Sequence, residues 1–194
     1  MAYGVFESVN MRSTHAGGRI FDAVAAFDVE NGTVGYLDGL SNGETTIYVF
    51  KKGLAEGKAP VIVDQPAWDV DDSKTSNQRK DKFIVKQGTP FRVRKLYNDD
   101  KFGISIDCVA LADREGFAVG KTVTVDENGK FVVVTAAEQT EQVGDPGETE
   151  AETVDNQIEG LVIRKRLQGA EMVTTAHNYG YQRYIYVIEV TKLA

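Results

Sequence analysis

Residues 121–135 read KTVTVDENGKFVVVT: Val123 and Val125 alternate with Thr122 and Thr124, an Asn-Gly pair follows, and Phe131 to Val134 form an apolar return. Alternation of period 2 belongs to a strand with one covered face, and Asn and Gly accept the positive φ of a tight type I′ turn. The stretch therefore predicts a β-hairpin. Two strands alone are only marginally stable in water, so this hairpin needs further strands to cover it. Asn-Gly recurs at Asn31-Gly32 and Asn42-Gly43, and 19 Gly against 4 Pro suit a chain with many tight turns.

The remaining strand candidates follow the same patterns. Residues 45–52 (TTIYVFKK) are rich in β-branched and aromatic side chains, and residues 82–86 (KFIVK) and 90–97 (PFRVRKLY) flank a Gly-Thr-Pro loop. In GISIDCVAL, Ile104, Ile106 and Cys108 are expected on one strand face, with Ser105 and Asp107 on the other. Residues 160–167 (GLVIRKRL) form another candidate, and 181–193 (YQRYIYVIEVTKL) are apolar on both faces, as in a central, doubly covered strand. Helical periodicity is weak: residues 21–27 (FDAVAAF) fit a helical turn or a strand, and residues 110–118 are equally ambiguous. The fold class expected is mainly β, with about eight to twelve strands in a compact β-barrel or β-sandwich. No repeat of propeller or solenoid length is present.

Residues 138–159 carry eight acids and no Lys, Arg or aromatic residue. Such a stretch has too little apolar area to offset the entropy of ordering it, so a flexible acidic loop is expected, inserted before the last strands. Those strands should pair back onto the 121–135 hairpin. Residues 74–101 oppose it, with nine basic and three acidic residues, a local balance of +6 in a chain of net charge −7. Arg92 and Arg94 should share a strand face opposite Phe91 and Val93, either as a solvated surface or as a docking face for an acidic partner, with Arg79 and Lys80 close by in sequence. Charge asymmetry of this kind also favours contacts between copies, as a trimer or ring. Tyr179 and Tyr181 flank Gly180 in a Tyr-rich run beside Arg183 and are interface candidates, because Tyr brings large area with a polar tip. Tyr184 and Tyr186 share a strand face and read as core packing.

The net charge disfavours nucleic acid as the main partner. No apolar run approaches the ~20 residues of a membrane span, so no membrane partner is expected, and the opening residues lack the basic and apolar regions of a signal peptide. Cys108, the single cysteine, reads as a buried apolar thiol in a reducing compartment. His15 and His177 stand in no ligand-spaced cluster. Asp69, Asp71 and Asp72 lack the Gly and the later Glu of a calcium loop. Phosphate-loop, dinucleotide and nucleophile-elbow motifs are missing, so neither an enzyme nor a bound cofactor or metal is expected. A small β-barrel ligand-binding module or enzyme stays open as the alternative from another class.

Three segments carry a resemblance: MAYGVFESVNMRS at the start, FDAVAAFDVENGTVGYL at 21–37, and NQRKDKFIVKQGTPFRVRKL at 77–96. Over roughly the first half, the chain resembles small proteins of tailed bacteriophages of Gram-positive bacteria, encoded beside the major capsid protein and regarded as head-decoration or minor structural proteins. The resemblance implies a virion structural protein that binds and stabilises the capsid shell without catalysis, assembled in the bacterial host cytoplasm. It implies the major capsid protein and other copies of the chain as partners. A tail, neck or baseplate component is the neighbouring alternative. Under this reading residues 1–20 are a candidate docking arm, with Tyr3, Phe6, Arg12 and Arg19 as contacts, and residues 21–194 are the β-rich domain. The same arm equally fits the first strand of the protein's own barrel.

Overall fold

The computed structural model describes residues 2–15, 18–66, 80–134, 158–167 and 183–193. The acidic stretch expected to be flexible lies almost wholly outside the described residues, as do Arg79, Tyr179 and Tyr181. The protein is mainly β, as its patterning predicts. The architecture combines a closed five-stranded barrel with a six-stranded sheet.

The barrel is built from β2 (Ile20–Val24), β3 (Val34–Leu40), β4 (Ile47–Lys52), β5 (Pro60–Val63) and β6 (Phe91–Lys95), in ring order β2-β4-β3-β5-β6. All of its pairs are antiparallel except β2 with β4. The ambiguous 21–27 stretch is therefore strand as far as Val24, and its small Ala23 and Ala25 are buried where larger side chains would overfill a narrow barrel. Inside, Phe50 meets Phe91 edge to face, with ring centroids 5.5 Å apart, among Val29, Val61, Val63, Val85 and Val93.

The sheet has the order β1-β7-β11-β10-β8-β9, from β1 (Phe6–Asn10), β7 (Lys101–Ser105), β8 (Thr122–Val125), β9 (Phe131–Val133), β10 (Ile158–Leu167) and β11 (Tyr184–Leu193). Strand β11 lies inside the sheet, with Ile185 to Ile188 all buried, as its two-faced apolar pattern requires. Strand β10 pairs with both β11 and β8, so the C-terminal strands do return to the hairpin. Residues 6–10 form an edge strand of the sheet, not of the barrel. Pairing with β7 slips between Ser8 and Asn10, leaving Val9 exposed at a bulge that interrupts the edge.

Strand β5 joins the two parts. All four of its residues are buried; Val61 and Val63 belong to the barrel interior, while Ile62 belongs with Val34 to the core beneath the sheet. That second core centres on Phe102, 5.8 Å from Phe6 and 5.9 Å from Phe131 between ring centroids. The hairpin tip seals the junction. Gly129 N donates to Asp126 O, Asp126 N to Lys130 O, and the Asp126 carboxylate accepts from the N–H of Asn128 and Lys130. Only Gly129 of the Asn-Gly pair has positive φ, +74°, so the loop has three residues with glycine in the left-handed position, not the two-residue type I′ turn expected. Glycine is also demanded by space, because a Cβ there would lie 2.2 Å from the carbonyl oxygen of Val34.

Two further expectations need correction. Strand β7 ends at Ser105, and Ile106–Cys108 form a 3-10 turn in place of the continued alternation. Ser105 is the reason: its Oγ accepts from Val5 N at 3.0 Å, and the chain then turns to bring Cys108 under Gly4 and Gly32. Residues 82–86 supply one bridge, Val85 with Val29, since Lys80–Lys82 are already a 3-10 turn and Gly88 N turns back to Ala25 O. Cys108 is buried, and burial pushes its thiol up to about 11 against the opposing charge of Lys130. It is expected to ignore a disulfide reagent at about pH 8 and to react only as fast as the protein unfolds. The raised folded value means that stability is unaffected below the ordinary thiol value of 9.0 and falls as pH rises from there towards about 11. Alkaline melts of a Cys108→Ala variant should lack that part of the loss.

Candidate docking surfaces

The residues proposed from sequence as contacts do not form one surface. Phe6 is a core residue, 8% exposed and packed at a tilt against Phe102, so it is removed from the contact set. An apolar side chain in a candidate arm reads as an anchor, but the first strand turns this one inward. Tyr3 is half-buried, and its N–H donates to Asp81 O at 2.8 Å. Lys80 reaches towards Glu7, with Nζ 3.9 Å from the carboxylate, and Glu7 also pairs with Arg166 of β10.

Arg92 and Arg94 share the outer face of β6, as alternation demands, but only Arg92 is exposed. Arg94 is 8% exposed and pairs through Nε with Asp64, just beyond β5. Its Nη1 is buried with no hydrogen-bond partner. Arg94 is therefore corrected from a docking cation to a structural one. The neighbouring loop is tied by Asn31, whose side chain exchanges two 2.8 Å hydrogen bonds with the backbone of Gln65, and by Gln65 Oε1, which accepts from Arg92 N at 3.0 Å.

The remaining candidates fall in two places. On the barrel, Ile20 is 43% exposed at the start of β2, directly after exposed Arg19. Arg92 lies on the adjoining strand, where β6 pairs with β2 through Arg94 opposite Ile20 and Arg92 opposite Asp22. Neither Arg19 nor Arg92 has an ion-pair partner among the described residues.

The second patch is a notch of about 380 Å³ where barrel and sheet meet, lined by Arg12, Pro60, Lys95, Tyr97, Asp99 and Leu193 among others. The Arg12 guanidinium lies 5.2 Å and the Lys95 ammonium 5.4 Å from the centroid of the Tyr97 ring. Buried Asp100 holds the geometry: one carboxylate oxygen accepts from Arg12 N at 2.6 Å, the other from Tyr97 N at 2.9 Å. Burial raises the Asp100 carboxyl above its ordinary value, and these two backbone bonds oppose the shift. Asp99 adopts φ +68°, the left-handed region, with its N–H donating to Val190 O at 2.9 Å, which locks the turn to β11. The sequence marks Arg12 as a contact. Tyr97 and Asp100 escape notice there, because nothing local links residues 12 and 97–100.

Among the described residues no group of three or more His, Cys, Asp or Glu is placed to hold a metal ion, and no helix is long and apolar enough to cross a membrane. A scan against protein-family models finds no match, and searches of curated proteins and of solved structures return none either.

Proposed function

We propose that the chain is a structural protein of a tailed-bacteriophage particle, attached to the major capsid protein of the head shell and acting without catalysis. The resemblance of residues 1–13, 21–37 and 77–96 names the setting, and these residues supply β1, β2, the start of β3 and β6. The observation that carries a docking role is the barrel surface along β2 and β6: exposed Ile20 follows Arg19, Arg92 stands opposite exposed Asp22 on the adjoining strand, and neither cation has an ion-pair partner among the described residues, in a chain of net charge −7. An acidic partner surface would meet the cations and bury the isoleucine, the combination of steering charge and apolar centre found at binding hot spots.

The test is the copy number in purified particles relative to the major capsid protein. Comparable numbers support a shell-bound protein. A handful per particle would transfer it to the neck, tail or baseplate, and absence from particles would sink the virion reading. On the docking face, Arg19→Glu with Arg92→Glu is expected to weaken attachment to particles at least about tenfold while leaving the melting temperature nearly unchanged. Attachment equal to that of the unaltered protein would remove this face from consideration.

A further inference from the structure

The notch at the barrel–sheet junction holds two cations against one ring, and neither has an ion-pair partner among the described residues. Like charges held together attract an anion; Asp100 supplies one from beneath Arg12, and in the lining itself the only acid is exposed Asp99. The site is rigid in advance, because buried Asp100 fixes the backbone of both Arg12 and Tyr97. A guanidinium and an ammonium beside an aromatic face suit carboxylates carried on an extended chain.

The sequence supplies such a chain. Leu193, on the notch rim, is the register partner of Ile158, the residue at which the chain enters β10. Residues 138–157 immediately precede it, with seven acids and no Lys or Arg. Each copy thus brings one end of an acidic stretch to the rim of its own notch. Two copies related by a twofold axis at this corner would present each notch to the other's stretch, making a reciprocal contact from one patch. We propose that the notch of Arg12, Tyr97 and Lys95 is a carboxylate-binding site whose occupant is the acidic stretch 138–157 of a second copy. The inference does not depend on attachment to a phage shell, and it is tested in solution.

The experiment is sedimentation velocity on the full chain, at about 50 mM and about 500 mM salt. The expected result is a dimer at low salt that dissociates at high salt. Arg12→Ser with Lys95→Ser should weaken dimerisation at least about tenfold, with Lys86→Ser, an exposed cation paired with Asp28 outside the notch, as the surface control that leaves it unchanged. A chain whose seven acids are replaced by their amides should lose the dimer as well. Mixing these two defective chains should form a heterodimer weaker than the native dimer, because one intact notch and one intact stretch keep one of its two contacts. A melting curve on each variant verifies folding. A chain that stays monomeric at low salt would overturn the proposal, as would a dimer indifferent to the notch substitutions. A mixture that associates no more than either defective chain alone would also overturn it, placing the acidic stretch on its own notch.

Discussion

Arg94→Glu is expected to destabilise the protein by about 3–5 kcal/mol, whereas Arg92→Glu, two residues away on the same strand face, should cost within about 0.5 kcal/mol. The difference follows from burial. Arg94 neutralises Asp64 in a site from which water is largely excluded, and β6 there is hydrogen-bonded to both β5 and β2. Glutamate at 94 would leave Asp64 without its counter-charge and add a second carboxylate beside it. Exposed Arg92 has no ion-pair partner among the described residues to lose. Urea denaturation of the two variants measures the contrast. Equal small losses would show that the Arg94–Asp64 pair contributes little and that the face is solvated after all. The experiment also guards the docking test, because a charge reversal at Arg94 would abolish binding by unfolding the barrel. Arg19 is the proper companion for Arg92.

Phe102→Ala is expected to cost about 3–5 kcal/mol and to lower the melting temperature by roughly 10 °C. Phe102 is 1% exposed and lies between Phe6 of the edge strand and Phe131 of the hairpin, so its loss leaves a cavity with walls from three strands. The more informative result is the shape of the transition. Val34 and Ile62 belong to barrel strands yet pack in the same cluster as Phe102. Barrel and sheet should therefore unfold in one step, with near-ultraviolet and far-ultraviolet signals coincident. Two separated transitions, with only one moved by Phe102→Ala, would show that the barrel stands alone.

Much of this architecture is written in local pattern. The hairpin of β8 and β9 follows from alternation around a glycine turn, and the inner position of β11 follows from a run apolar on both faces. What escapes local reading is set by distant partners. Strand β5 is four residues long and begins with proline, too little for a strand signal, and it exists because two cores close on it. Strand β3 contains two glycines and reads weakly, yet it is paired on both sides. The contact residues divide in the same way. Alternation correctly puts Arg92 and Arg94 on one face, but it cannot show that Asp64 covers one of them. Arg12 is visible as a cation near the N-terminus, while its aromatic platform comes from residue 97 and its anchor from residue 100.

The double membership of β5 has a mechanical consequence. A pull applied to Arg19 or Arg92 reaches β6 through the backbone bonds of the barrel ring, passes from β6 to β5, and enters the sheet through Ile62 without crossing a linker. Force is divided among parallel ladder bonds and packed side chains along the whole route. A molecule gripped by its barrel thus transmits load to its sheet as a single stiff body, and no joint exists along that route at which the two could swing apart.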